Sequence, residues 1–294
     1  MVDRRAFLTG SIAVLAAGCR SSRQDIVVGS KNFTEQLILG ELFAQVLEQS
    51  CQTPVQRRFY LAGTYICQQA ILAGRIDVYP EYTGTALAAV LKQNAAGSAE
   101  QMYEEVKREY RNKFQLDVMP PLGFNNTFAM VMRGDDARRL GISKLSQLAP
   151  DAPTMRLGVG YEFLERQDGY KGLARAYDLK FADAPRVMDL GLLYRALQNR
   201  SVDIVAGSNT DGLIAALGLV VLEDDRHYFP PYDAVPIVRP ELLVRYPTAR
   251  PVFDGLAGRI TADDMRRMNY AVDGKHQDAS VIVRDFLRQP GLAK

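Results

Sequence analysis

The fold is decided by the stretch IVVGSKNFTEQLILGELFAQVL, residues 26–47. Its first four residues form a β-branched run that predicts a strand. Apolar residues between Leu39 and Leu47 then recur at i, i+3, i+4, i+7 and i+8, which predicts one buried face of a helix. Asn32 or Thr34 is the expected helix cap. A strand that leads directly into an amphipathic helix is the repeating unit of α/β proteins.

The same alternation continues along the chain and predicts an α/β fold with mainly parallel sheets. The predicted strands are 26–29, 55–59, 76–79, 126–132, 155–160, 186–188, 202–206 and 234–238. The predicted helices after the first are 63–72, a pair within 83–114, 162–177, 190–197, 211–217, 261–272 and 279–287. We expect two lobes joined by two crossings, with residues 26–126 plus 233–294 in lobe 1 and residues 127–232 in lobe 2.

The N-terminal residues are typical of an export signal. Arg4-Arg5 precedes the apolar stretch 6–17, and Gly18-Cys19 follows it. This pattern predicts a signal peptide over 1–18, with Cys19 acylated after cleavage and residues 19–25 as a short linker. The alternative is an uncleaved anchor helix. Both interpretations place the rest of the chain outside the cytoplasm.

Export would allow two further cysteines, Cys51 and Cys67, to form a disulfide, because disulfides persist in oxidising compartments. They either pair or lie apart as small buried residues. The sequence leaves both alternatives open, since it does not give the distance between them.

Composition excludes several classes of function. The net charge of +2, from 36 basic and 34 acidic residues, gives no basic surface for nucleic acid. After the N-terminal stretch, no run reaches the roughly 20 apolar residues of a membrane-spanning helix. His227 and His276 are the only histidines, and they are not spaced as metal ligands. We therefore expect no enzyme, no metal and no cofactor.

Polar loops follow the first three predicted strands, at 30–36, 61–65 and 79–85. Ligands of open α/β sheets bind beyond the carboxyl ends of the strands, so these loops are expected to share one rim. Aromatic, polar and cationic residues are concentrated in them, which indicates a site for a small molecule.

Six segments together resemble the binding proteins of osmoprotectant ABC transporters, the glycine betaine, carnitine, choline and proline-betaine family. In chain order they are Ser30-Lys-Asn-Phe-Thr-Glu-Gln36, Tyr79-Pro-Glu-Tyr-Thr-Gly-Thr85, Gly123-Phe-Asn-Asn-Thr-Phe128, Phe163-Leu-Glu-Arg-Gln-Asp-Gly169, Asn209-Thr-Asp-Gly212 and Phe229-Pro-Pro-Tyr-Asp233. The resemblance covers residues 26–292. It implies a two-lobed periplasmic-binding-protein fold of type II, with two crossovers, and an ABC permease in the membrane as the partner.

The family binds quaternary ammonium in a box of tyrosines, because such a cation has no N–H to donate and is held by the faces of aromatic rings. The matching positions here are Tyr82, Phe128, Ser208 and Tyr232, so one ring is missing. Tyr65 and Tyr161 stand where family members carry smaller residues, and they are candidates to compensate.

The resemblance also implies residues for the anionic end of a betaine. Lys31 and Arg166 match the carboxylate-side residues, and Thr85 adds a hydroxyl near a helix start. Asn126 stands where some members have Asp, and its neutral amide favours a zwitterion over a lone cation. The alternatives are a receptor of the same fold for another small polar solute, such as an amino acid, and a signalling receptor without a transport role.

Overall fold

The computed structural model describes residues 25–93 and 96–289. Two five-stranded sheets, each flanked by helices, form two lobes. The predicted two-lobed α/β architecture is confirmed. The signal peptide (1–18), the acylation site Cys19 and all of the linker except Asp25 lie outside the described residues.

The first lobe begins with three strand–helix units. They comprise β1 (Ile26–Gly29), α1 (Thr34–Cys51), β2 (Val55–Arg58), α2 (Thr64–Leu72), β3 (Val78–Tyr82) and α3 (Thr83–Thr85). A π-helical segment over Ala86–Leu91 continues α3, and α4 (Ala99–Phe114) and β4 (Asp117–Val118) follow. π-helical turns occur frequently at functional sites, and this one directly follows a segment that the sequence singled out.

The chain then crosses into the second lobe. Its elements are β5 (Phe128–Arg133), α5 (Gly134–Leu140), β6 (Leu157–Val159), α6 (Tyr161–Glu165), α7 (Tyr170–Tyr177), β7 (Arg186–Val187), α8 (Leu193–Gln198), β8 (Ile204–Ser208), α9 (Leu213–Ala216) and β9 (Leu219–Val221). Short 3₁₀ turns lie at Leu145–Gln147, Ala152–Thr154 and Leu190–Leu192. The strand order is β7-β6-β8-β5-β9.

A second crossing returns the chain to the first lobe. The elements after it are β10 (Ala234–Val238), α10 (Pro240–Arg245), α11 (Ala249–Leu256), α12 (Ala262–Asp273) and α13 (Ala279–Leu287). The first sheet has the order β2-β1-β3-β10-β4. The predicted lobe boundaries, at 126/127 and 232/233, fall within the two crossing segments.

The prediction of mainly parallel sheets holds for only part of each sheet. β1 is parallel to β2 and β3, and β6 is parallel to β7 and β8. The crossing strands β5 and β10 run antiparallel to both of their neighbours. A strand that enters from the other lobe starts at the cleft, where the parallel strands end, so it runs in the opposite direction.

Most predicted elements are present with shifted ends. The strand predicted at 76–79 extends to Tyr82, and the helix predicted at 162–177 is two helices separated at residues 166–169. Neither Asn32 nor Thr34 caps α1, because Phe33 is the N-cap residue and the Thr34 hydroxyl bonds Asp273 at 2.5 Å. The sequence analysis missed α5, α10, α11 and the short edge strands β4 and β9.

Each sheet has a hydrophobic core on both of its faces. Cys51, at the end of α1, lies in one core of the first lobe, and Cys67, in α2, lies in the other. Both are free thiols. Of the two alternatives for these cysteines, separate burial is therefore the one that the structure shows, because the sheet lies between them.

None of the helices in residues 25–93 and 96–289 combines the length and the apolar character that crossing a bilayer requires.

The packing of α1 against α11 gives a prediction of stability. Phe43 is fully buried, and its ring meets that of Phe253 edge to face with 5.6 Å between centroids. We expect Phe43→Ala to lower the free energy of unfolding by about 3–5 kcal/mol, since it removes a buried ring and leaves a cavity. Urea unfolding measures this difference. Val244→Ala, at a side chain that is 81% exposed, is the control; equal effects of the two changes would contradict the assignment of this core.

Candidate ligand-binding site

The cleft between the lobes is formed where the strands of both sheets end. Lys31 follows β1, and Tyr82 and Thr85 lie at the end of β3 and in α3. In the second lobe, Tyr161 follows β6 and Ser208 ends β8. The rim predicted from the sequence is therefore present. It brings polar residues of both lobes together along the boundary where the lobes meet, which is called the seam below.

The two crossing segments are bonded to each other beside this rim. Asn125 and Asp233 form an isolated antiparallel bridge. The Asn126 backbone N–H donates to the Tyr232 carbonyl at 3.0 Å, and the Tyr232 N–H donates to the Asn125 side chain at 3.1 Å. Because the crossings hold one another, the position of Tyr232 between the lobes is set by the hinge itself.

Three of the predicted aromatic positions present ring faces to buried cations. The Phe128 and Tyr232 rings meet edge to face at 5.6 Å, and the Arg166 guanidinium carbon lies 4.9 Å and 5.6 Å from their centroids. The Lys31 ammonium lies 5.0 Å from the centroid of Tyr82. These distances are within the range of cation–π attraction.

Each of these cations also has a carboxylate partner that the sequence analysis missed. Lys31 bonds Glu81, and both side chains are buried. Arg166 donates from Nε to Asp168 at 2.8 Å, and Asp168 also accepts from the Tyr232 hydroxyl at 2.6 Å. Burial acts to lower the pKa of Arg166, but the Asp168 carboxylate outweighs it and holds that pKa above its usual range.

A further buried carboxylate, Glu35 of α1, is surrounded by donors from several elements. It accepts from the Tyr82 hydroxyl at 2.7 Å, from the Asn126 amide, and from the Asn269 amide at 3.2 Å. A Thr210 side-chain bond completes the set. Burial raises the pKa of Glu35, and these hydrogen bonds oppose the rise.

Ser208, the position of the missing ring, takes part in the same network. Its hydroxyl bonds the Asn126 side-chain oxygen and lies 3.1 Å from the Thr210 hydroxyl. The Asn126 amide group is thereby turned toward Glu35. A polar chain, and not an aromatic face, therefore forms this side of the site.

Tyr65 and Tyr161, the candidates to compensate for the missing ring, do not pack against the rings of Tyr82, Phe128 and Tyr232. Tyr161 is 64% exposed at the start of α6. Tyr65 is half-buried, and its ring and hydroxyl face Lys92, whose ammonium lies 4.9 Å from the ring centroid and 3.2 Å from the hydroxyl. The side of the site at Ser208 is thus not closed by either ring.

Besides the bond between Glu35 and Thr210, four hydrogen bonds between described residues link the first lobe to the second across the seam. Arg166 donates to the Thr85 hydroxyl at 2.9 Å, and Asn269 donates to the Thr210 carbonyl at 2.9 Å. Arg266 of α12 donates to the Asn209 carbonyl at 3.1 Å. The fourth bond runs from the Thr64 backbone N–H, at the start of α2, to Glu162 at 2.6 Å. The lobes therefore lie in a closed arrangement.

The contact of Glu162 depends on a glycine. A β-carbon at position 63 would lie 2.1 Å from the Glu162 carboxylate oxygen, which is closer than any real contact. Gly63 therefore opens the space through which a carboxylate of the second lobe reaches the N-terminus of α2. Free N–H groups and the helix dipole attract negative charge there.

Comparison with known proteins gives consistent results. A family model described as the substrate-binding domain of an ABC-type glycine betaine transport system matches residues 24–289. A glycine-betaine-binding protein of Pseudomonas aeruginosa is 32% identical over 304 residues, covering 98% of this chain and 94% of that protein. A crystal structure of a glycine betaine/carnitine/choline ABC transporter protein superposes with a TM-score of 0.74 at 29% identity, covering 90% of this chain and 98% of that one.

An ergothioneine transport permease/ergothioneine binding protein of Helicobacter pylori (strain G27) is 33% identical over 268 residues. The match covers 91% of this chain and 48% of that protein. The chain therefore spans about half the length of this relative.

The contact of Glu162 with α2 gives a prediction about lobe closure. We expect Glu162→Ala to shift the ligand-free protein toward open lobes, because it removes a charge-assisted bond across the seam worth about 1 kcal/mol for a half-exposed side chain. Small-angle X-ray scattering detects this as a larger radius of gyration. Gly63→Ala, which displaces Glu162, is expected to act in the same way. Glu165→Ala, at an exposed glutamate of the same helix, is the matched control; identical scattering from all four proteins would refute the role of the contact.

Asp211 gives a prediction about pH. Burial raises its pKa from 3.8 to about 7, against hydrogen bonds from the Tyr194 hydroxyl and the Ser208 N–H. The Asp211 carboxyl group therefore binds its proton more tightly in the folded protein than in the unfolded chain. Protonation of Asp211 stabilises the folded protein fully below about pH 4, and this stabilisation is lost as the pH rises to about 7. We expect Asp211→Asn to remove this part of the decline in folding stability with rising pH.

The measurement is the melting temperature of both proteins at pH 4 to 8. As the pH falls, the melting temperature of the wild type should rise relative to that of Asp211→Asn. Asp178→Asn, at an exposed carboxylate, should follow the wild-type profile. A constant difference between wild type and Asp211→Asn across this range would contradict the raised pKa.

Proposed function

The chain belongs to the family of substrate-binding domains of ABC-type glycine betaine transport systems, and from that premise we propose that it binds a quaternary-ammonium osmoprotectant, such as glycine betaine or choline, between its lobes. The family consists of binding proteins and not of enzymes. Its members in ABC importers work with permease subunits in the membrane. We propose the same partnership for this chain.

The observation that carries the ligand proposal is the set of ring faces at the seam. Tyr82 is contributed by the first lobe, Phe128 by the start of the second, and Tyr232 by the return crossing. Each already faces a buried side-chain cation at 4.9–5.6 Å. Faces that attract a guanidinium or an ammonium attract a methylated cation by the same electrostatics, at roughly 0.5–2 kcal/mol for each contact.

The anionic end of a betaine or a carnitine is proposed to meet Lys31, Arg166 and Thr85. Arg166 and Thr85 are bonded across the seam, so a carboxylate that bridges them would strengthen closure. Both cations are already neutralised, by Glu81 and Asp168. A ligand carboxylate would therefore share these cations with Glu81 and Asp168, which limits the binding free energy that it gains from them.

Transport requires that ligand binding and lobe closure favour each other. A ligand that contacts both lobes shifts the population toward the closed form by its difference in affinity for the two forms. We propose that the closed form docks on the permease. We also propose that acylated Cys19 anchors the protein at the outer face of the membrane, and because one lipid chain gives only marginal attachment, more than one chain is needed.

A thermal-shift panel tests the proposed ligand class. The probes are glycine betaine, choline, carnitine, proline betaine and ergothioneine, with glycine and proline as amino acids that lack a methylated cation. We expect at least one methylated compound to stabilise the protein, by about 2.7 kcal/mol at 100 times its dissociation constant. Stabilisation by the amino acids alone would favour the alternative of a receptor for another polar solute, and stabilisation by none would reject the proposal.

Variants of one ring separate binding from packing. Tyr232→Leu removes the ring face but retains apolar volume, so we expect affinity for the methylated ligand to fall roughly 2- to 30-fold. Tyr232→Phe keeps the face and loses only the hydroxyl that bonds Asp168, and it should bind more tightly than the Leu variant. Isothermal titration measures both constants. Equal affinities would show that the ring face does not contribute.

A further inference from the structure

We propose that Glu35 is the counter-ion of the ligand's methylated cation, an inference that rests on the function proposed above. The resemblance assigned no role to this residue, and the predicted site contained no acidic side chain. The structure places Glu35 at the seam, 2% exposed and bonded to the hydroxyl of Tyr82.

The charges at the seam do not balance without a ligand cation. Lys31 is neutralised by Glu81, and Arg166 by Asp168. Within the described part of the chain, Glu35 has no ion-pair partner, and all of its bonded neighbours are neutral groups. Around the ring faces, two of these side chains are positive (Lys31 and Arg166) and three are negative (Glu35, Glu81 and Asp168), so this part of the seam carries one net negative charge.

The position of Glu35 explains how this charge is kept. It lies in the first turn of the 18-residue helix α1, where the helix dipole favours negative charge. Every bond it makes is accepted from a donor, from Tyr82, Asn126, Asn269 and Thr210. Burial raises the pKa of Glu35, and these bonds oppose that rise: a carboxylate surrounded by donors is favoured in its ionised form, because a protonated carboxyl would turn a donor toward one of them.

The same arrangement suits a cation without N–H groups. A carboxylate has about four acceptor positions, and here four donors of the protein are directed at them. Glu35 thus attracts positive charge without needing a hydrogen bond from the ligand. A quaternary ammonium has no N–H group to donate, so it leaves no hydrogen bond unmade in such a site.

The network also gives a role to Ser208. Its hydroxyl bonds the side-chain oxygen of Asn126, which leaves the Asn126 amide N–H groups to face Glu35. Where the resemblance implies a fourth ring, this chain has a residue that orients a donor of the counter-ion. The negative charge of Glu35 thus takes over part of the attraction that the ring would supply.

The test compares each ligand with a neutral copy of its cationic group. Choline is paired with 3,3-dimethylbutan-1-ol, and glycine betaine with 3,3-dimethylbutanoate, in which carbon replaces the charged nitrogen. Isothermal titration gives the ratio of dissociation constants for each pair. In the wild type we expect the cationic compound to bind more tightly, and in Glu35→Gln we expect this preference to shrink roughly tenfold.

Glu41→Gln is the matched control, because Glu41 is a buried carboxylate of the same helix that is paired with Arg57 away from the seam. It should keep the wild-type preference. Glu35→Asp, which retains the charge, should keep most of it. An equal loss in the Asp and Gln variants would show that Glu35 only shapes the site and would overturn the inference.

The outcomes for the wild type do not depend on the folding of any variant. If wild type binds choline or glycine betaine no more tightly than the carbon copies, the inference is wrong although the ligand class can stand. A wild type that binds methylated cations, with a preference unchanged in folded Glu35→Gln, also overturns it. If wild type binds no methylated cation at all, the proposed function itself has failed.

Discussion

The burial of charge at the seam between the lobes is the constraint on which the rest of the site depends. An ionised side chain that leaves water costs several kcal/mol unless a partner compensates for it. The chain meets this cost inside each lobe, with Lys31 on Glu81 in the first lobe and Arg166 on Asp168 in the second. Separation of the lobes therefore breaks neither ion pair.

The contacts that cross the seam are of a weaker kind. Arg166 reaches a neutral hydroxyl, on Thr85, and Asn269 reaches a backbone carbonyl. A typical hydrogen bond contributes only about 0.5–1.5 kcal/mol net, since water replaces it when the lobes part. Strong pairs within lobes and weaker bonds between them suit a protein that must close on a ligand and open again to release it.

The sequence predicted the segments of the site better than the partners within them. Glu35, Glu81 and Asp168 all lie inside segments that were singled out by resemblance, yet none was assigned a role. Local spacing gives no sign that Lys31 and Glu81, 50 residues apart, form a pair, because such a contact depends on the register of β1 and β3. Asn269 had no signal at all, since it lies in an otherwise ordinary amphipathic helix. Tyr65 and Tyr161 were named because family members carry smaller residues at these positions. The structure places both in the first turn of a helix, and the direction of such a side chain is set by packing that periodicity does not describe.

Glu35 connects the charge of the site with its shape. Its donors come from three places: Tyr82 and Asn269 belong to the first lobe, Asn126 to a crossing, and Thr210 to the second lobe. In an open form Thr210 moves away with its lobe, and water must replace it beside the carboxylate. Closing exchanges that water for a fixed donor and lowers the local dielectric, which strengthens the attraction between Glu35 and any cation on the Tyr82 ring. The ligand's charge and the movement of the lobes are therefore coupled through one carboxylate.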